Sequence, residues 1–277
     1  MWSGAELDLG AYLERIGYAG QPRPDARTLR EVHRAHVRAI PFENLDVALG
    51  QQIELDIKSV EDKLVRSRRG GYCYEHSTLL AAALERIGFA VGARGARNRT
   101  RGDALTPVTH AVLVVAADGR EWLADAGFGH QTPLEPIDLA AEGEVRQGPW
   151  TYAVGREADG LRVLRMRRED GWRDLYAFAP QPVYPVDFLV MNHWSGSHPR
   201  SHFVGQVVAQ RADAEVRSAL VRDQLTRLRP DGGTERRTVA GDEVIGLLAE
   251  EFGIELPGAG AAKLVATYCA GDRTADR

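Results

Sequence analysis

The sequence predicts an α+β fold in which helices and strands are segregated along the chain. Three observations carry this. Up to Gly88, apolar residues recur at helical spacing between capping residues. From Phe89 the pattern changes to strand-like runs broken by turn residues. Near the end, further strand-like stretches give way to one more capped helix, from Asp242 to Phe252. With 277 residues the chain has room for two or three units, or one large one.

In chain order, Asp8 can cap a short helix that runs to Ile16 and stops at Gly17. Thr28 opens a second helix, with Leu29, Val32, His36 and Ile40 near one face and Pro41 as its stop. Ser59 with Asp62 resembles a capping box ahead of Leu64 and Val65. A further helix starts at Cys73 after Gly70-Gly71 and ends at Gly88, with Cys73, Ser77, Leu80, Leu84 and Ile87 on one face.

Val108 to Ala116 is rich in β-branched residues, Asp118-Gly119 is a hairpin turn, and Glu121 to Ala126 returns. Thr151–Val154, Leu161–Arg167 and Trp172–Phe178 are further strands, so this section is antiparallel β, a barrel or a curled sheet. Pro180, Pro182 and Pro185 punctuate a linker. Beyond it, Phe203–Gln210 and Leu220–Leu228 read as strands, with Asp231-Gly232-Gly233 as a turn. Asp242 caps the last helix, whose stripe is Val244, Leu247, Leu248 and Phe252, and Gly253 ends it. The tail from Gly271 is expected to fray.

Bulk properties narrow the function classes. A formal charge of −4 gives no basic field for nucleic acid. Two cysteines without a CxxC argue against a disulfide framework or a zinc ribbon, and fit a reducing cytoplasm. The first eight residues lack the basic and apolar regions of a secretory signal, and no apolar run reaches membrane-spanning length.

Cys73 is the chemically pointed residue. It sits in the first turn of a helix just after Arg68 and Arg69, where helix N-terminus and cations favour a thiolate. A small buried core cysteine is the competing reading. The Asp118-Gly119 turn places Val112 opposite Asp125 if the loop is even-numbered. His110 and Asp125 are then diagonal cross-strand neighbours on one face. Such a pair is either structural or the base and orienter that a nucleophilic thiol needs.

Four segments in order, Ile40-Pro41-Phe42-Glu43-Asn44-Leu45, Arg69-Gly70-Gly71-Tyr72-Cys73-Tyr74-Glu75, Thr109-His110 and Asp125-Ala126-Gly127-Phe128-Gly129, resemble the signature of the arylamine N-acetyltransferases. The later Ser197-His198-Pro199, Phe203 and Gly232-Gly233-Thr234-Glu235 resemble bacterial members, so the likeness spans nearly the whole chain. After Glu75 the chain carries His76-Ser77, where many relatives have Asn.

This resemblance implies a helical bundle over 1–88, an antiparallel β-barrel over 89–195 and an α/β lid over 196–277. It implies a papain-like triad of Cys73, His110 and Asp125, with acetyl-CoA as donor. The acceptor would be an arylamine, arylhydrazine or N-hydroxyarylamine, with Phe42 and Phe128 lining its slot. Thr106, Trp194 and Ser201 align approximately with CoA-side positions, and Glu43 with Arg69 would form an ion pair bracing the loop before Cys73. Some relatives of this kind are amide synthases that move a polyketide chain from an acyl carrier protein onto an aromatic amine, and that alternative stays open. His193, His198 and His202 have a spacing that could suggest a metal, but no Asp, Glu or Cys lies close by in sequence to complete a site, so no catalytic metal is expected.

Overall fold

The computed structural model describes residues 1–102 and 104–272, with side chains through Tyr268; the tail 273–277, Asp103 and the Cys269 side chain lie outside the described residues. The first third holds α1 (Leu9–Ile16), α2 (Ala26–Ala39), the two-residue strand β1 (Phe42–Glu43), α3 (Leu45–Ala48), α4 (Ile57–Glu61) and α5 (Cys73–Ile87). Asp8 caps α1 by accepting from the Ala11 N–H at 3.0 Å, and Gly17 ends it in the left-handed region at φ 69°. The sequence reads two helix starts one turn late. Asp25, not Thr28, caps α2 and accepts from the Thr28 N–H at 2.8 Å; Asp56, not Ser59, caps α4 and accepts from the Ser59 N–H at 3.0 Å. In each case the residue read as the cap is the one that donates to it.

The middle of the chain forms β2 (Ala90–Asn98), β3 (His110–Ala117), β4 (Arg120–Ala124), β5 (Ile137–Asp138), β6 (Val145–Gln147), β7 (Trp150–Arg156), β8 (Arg162–Arg168) and β9 (Gly171–Val183). They pair antiparallel in the order β5-β4-β3-β2-β9-β8-β7-β6, a nearly closed barrel. The hairpin register follows the two-residue turn: Ala117 faces Arg120 and Leu113 faces Ala124, with Asp118 at φ 50° and Gly119 at φ 71°. Pro180 and Pro182 do not mark a linker. They lie in the last part of β9, beyond the β8 pairing that ends at Phe178, where the strand has β2 as its sheet neighbour and a missing N–H costs no ladder bond. Pro185 opens a helix missed in the sequence, α6 (Pro185–Ser197), whose Asp187 carboxylate accepts from the Tyr184 N–H at 2.7 Å.

A second sheet contains β1 with β10 (Val208–Arg211), β11 (Arg217–Val221), β12 (Gln224–Leu228) and β13 (Thr234–Thr238), in that order. The expected strand Phe203–Gln210 begins only at Val208. Asn44 holds the preceding residues as a turn, donating to the Phe203 carbonyl at 2.7 Å and the Gln206 carbonyl at 2.9 Å. The expected strand Leu220–Leu228 is two strands, split by a tight turn with Arg222 at φ 56°. Against this sheet lie α7 (Val244–Phe252) and α8 (Gly258–Asp272). Asp242 does not cap α7; Glu243 precedes it, accepting from the Ala240 N–H at 2.9 Å.

The main core joins the helices of the first third to the barrel through α5, which is buried from Cys73 to Leu84 and packs on β3 and β2. A second core gathers Leu220, Leu225, Leu248, Phe252 and Leu264, and also Leu45 and Leu49 from the first third. No described helix is long and apolar enough to cross a membrane.

Candidate active site

A cavity of about 650 Å³ opens over the start of α5. Cys73 and His110 line it, with Phe42, Phe128, Trp194 and Phe203 among the walls. The entry to α5 explains its glycines. A β-carbon on Gly70 would stand 2.1 Å from the Pro41 carbonyl oxygen, and one on Gly71 would stand 2.7 Å from the Glu75 carboxylate. That carboxylate turns back to accept from the Tyr72 N–H at 3.0 Å, satisfying one of the free donors at the helix start.

The Cys73 side chain is buried, and its Sγ–H points to the Thr109 carbonyl at 3.9 Å, one residue before His110. His110 donates from Nε2 to the Asp125 carboxylate at 2.9 Å, which leaves Nδ1 as the other ring nitrogen. The second Asp125 oxygen accepts from the Gly127 N–H at 2.9 Å. Burial works against the Asp125 charge, but His110 and the Gly127 N–H outweigh it and hold the carboxyl below its usual range. The His110 ring packs in a three-ring cluster with Phe128 and Tyr176, each centroid 5.0 Å from it and the two 4.8 Å from each other.

The electrostatics of Cys73 correct the expectation drawn from its arginines. Burial, then the Asp125 charge, push the thiol well above its ordinary value, while the Tyr74 and Cys73 N–H groups pull the other way. Arg68 is exposed, and Arg69 is engaged by Glu43 at 2.7 Å and Asp46 at 3.0 Å. Neither arginine is therefore placed to stabilise a thiolate at Cys73.

Glu43 and Arg69 form the expected pair within a larger group. Lys63 joins Asp46 at 2.6 Å and Glu75 at 2.7 Å, so three carboxylates meet two cations beneath the loop before Cys73. Burial pushes Glu75 up to about 7, with Lys63 pulling against it and Glu43 adding to the rise.

The remaining sequence-read positions divide. Phe42 stacks on His76, with centroids 6.2 Å apart at 10°, and lines the cavity, as does Phe128. Thr106 and Trp194 also line it; the Thr106 hydroxyl donates to the Asn98 carbonyl at 2.9 Å. Ser201 is placed elsewhere, buried with its hydroxyl donated to the Ser195 carbonyl, while its neighbours Arg200 and His202 reach the cavity. Among the described residues no group of three or more His, Cys, Asp or Glu is arranged to hold a metal ion.

Other parts of the site had no local signal in the sequence. Arg217, fully buried under the Trp150 ring at 4.4 Å, donates to the His130 carbonyl at 2.7 Å and the Thr132 carbonyl at 3.0 Å. Gln210 accepts from the His130 N–H at 2.9 Å. Together they fix the turn that follows Asp125. Tyr12, His36 and His76 form a buried polar chain behind α5.

A buried thiol that shares a cavity wall with a His–Asp pair can carry an acyl group. The N-acetyltransferase family profile matches residues 25–261. The arylamine N-acetyltransferase of Mycolicibacterium smegmatis is 40% identical, over 90% of this chain and 93% of that protein. The crystal structure of the Nocardia farcinica arylamine N-acetyltransferase superposes with a TM-score of 0.91 at 43% identity, covering 95% of both chains. The Mycobacterium marinum arylamine N-acetyltransferase in complex with CoA superposes with a TM-score of 0.88 at 34% identity, covering 94% of this chain and 98% of that one. On these likenesses, the chain belongs to the arylamine N-acetyltransferase family.

Proposed function

We propose that this enzyme moves an acetyl group from acetyl-CoA to the nitrogen of an aromatic amine, hydrazine or N-hydroxyarylamine, through an acetyl thioester on Cys73. The observation that carries the reading is Cys73 and the Asp125-bound His110 on the wall of one cavity. A relative of 34% identity, solved with CoA, supports the donor. In the first half, His110 Nδ1 takes the Sγ proton and the thiolate attacks the acetyl carbonyl. Backbone N–H groups at the start of α5, those of Cys73 and Tyr74 among them, are the candidate donors to the oxyanion. CoA leaves as its thiol, taking the proton from His110. In the second half the amine attacks the thioester, His110 accepts its proton and returns it to Sγ, and the amide departs.

Phe42 and Phe128 are the acceptor walls in this proposal, and Thr106 and Trp194 the donor-side contacts. The units 1–88, 89–195 and 196–277 are kept as its division of labour: nucleophile, base with orienter, and lid. The test is intact mass after incubation with acetyl-CoA and no amine. One acetyl group is expected on Cys73 and none on Cys73→Ala. An unmodified wild-type protein, or the same adduct on the alanine variant, rules the reading out.

A further inference from the structure

Three buried side chains behind the nucleophile are unused by this chemistry. Tyr12 and His36 are fully buried and His76 is 1% exposed. The Tyr12 hydroxyl lies 2.9 Å from His36 Nδ1, His36 Nε2 lies 2.9 Å from His76 Nδ1, and His76 Nε2 lies 3.2 Å from the Pro41 carbonyl oxygen.

A carbonyl oxygen only accepts, which fixes every proton in the chain. His76 must carry its proton on Nε2 and leave Nδ1 bare. His36 must then donate from Nε2 and leave its own Nδ1 bare, and the Tyr12 hydroxyl must donate to that nitrogen. The chain runs one way, from Tyr12 to Pro41, with both rings neutral. Burial holds both imidazoles below their ordinary range, in agreement with this.

The end of the chain is the informative part. The Pro41 oxygen also accepts from the Gly71 N–H at 3.3 Å, and the Glu43 N–H donates back to the Gly71 carbonyl at 2.9 Å. One carbonyl is thus gripped from the loop before Cys73 and from the helical turn after it.

We infer that His76, oriented by His36 and Tyr12, is a positioning residue for Cys73, pinning the backbone on both sides of the nucleophile through the shared Pro41 carbonyl. The role rests on the acetyl-carrier reading above. With Nδ1 engaged by His36 and Nε2 by Pro41, His76 has no ring nitrogen left for the thiol, although it sits one turn from it. The same ring stacks on Phe42, so it also steadies a cavity wall.

Two measurements on the full chain test this. In protein labelled with ¹⁵N-histidine, His36 and His76, assigned from the His36→Gln and His76→Gln spectra, should each show a protonated Nε2 and a bare Nδ1 at neutral pH. A protonated Nδ1 or a charged ring at either position overturns the inference. In single-turnover acetylation by acetyl-CoA without amine, His76→Leu should slow Cys73 modification about tenfold to a hundredfold, as sub-ångström misplacement does, while His76→Gln, which keeps a donor and an acceptor, stays within about threefold of wild type. Equal rates for the two variants overturn it as well. A wild-type protein that takes no acetyl group removes the acetyl-transfer reading and this role together; one that acetylates but shows the wrong tautomer removes only the role.

Discussion

Gly127 passes so close to Cys73 that a β-carbon on it would stand 2.8 Å from the Cys73 Cα and 3.1 Å from its carbonyl oxygen. Both neighbours are backbone, so neither can rotate away. The turn after Asp125 and the first turn of α5 are therefore in direct contact, and glycine is what lets the Asp125 and Cys73 segments approach this closely.

Gly127→Ala should push these two segments apart. Overpacking of this kind costs about 1–3 kcal/mol, and the displacement should lower kcat/KM for arylamine acetylation by about a hundredfold. Thermal denaturation with steady-state kinetics checks both; an alanine variant of wild-type activity would show that the contact does not set the geometry.

Asp125→Asn keeps the size of the side chain but can turn an amide N–H toward His110 Nε2, forcing the ring proton to Nδ1, where it blocks removal of the thiol proton. The expected loss is about 10³–10⁴ in kcat with the fold retained. Acetylation rate and circular dichroism read the two parts separately.

The charge group beneath the loop gives a stability prediction. The Glu43 side chain is fully buried, and Arg69 is its closest ion-pair partner. Arg69→Met should cost about 3–5 kcal/mol, because it strands a buried charge. Adding Glu43→Gln should recover part of that loss in urea unfolding; a double variant no better than the single one would contradict the account.

His76 gives a pH dependence with a definite sign. Burial, with Lys63 adding to it and Pro41, Gly71 and Asp125 opposing, lowers its pKa from 6.5 to about 4. His36 also faces it. Between those values the unfolded chain binds the proton and the folded one does not. The contribution is complete above about 6.5 and lost as pH falls through about 4, on the order of 3 kcal/mol in all. His76→Gln should flatten the acid side of a Tm-against-pH curve. Equal slopes in the two proteins would refute the assignment.

Local signals made much of this legible. The two-residue Asp118-Gly119 turn fixes the register that sets His110 against Asp125, and no distant contact is needed to read it. Gly17, Gly88 and Gly253 end their helices for reasons local to each. What stayed hidden depends on distant partners. The turn at Phe203 is held by Asn44, far upstream. Helix α6 shows no inward stripe, because Val186, Leu189 and Val190 are exposed. His36 reads as one more residue on a buried helical face, and only the packing of α2 on α5 joins it to His76. The thiol's own environment was misread for the same reason: Arg69 is near Cys73 in sequence but spends its charge on Glu43 and Asp46.

Strand β1 has a practical consequence for redesign. Phe42 and Gln210 are paired across adjacent strands, and both line the cavity, although one belongs to the first third of the chain and the other to the last. Substitutions at the two positions should be non-additive, since each reshapes the floor on which the other rests. A library meant to change acceptor choice should vary them jointly, as one combinatorial site, because single-position scans would discard partners that work only together.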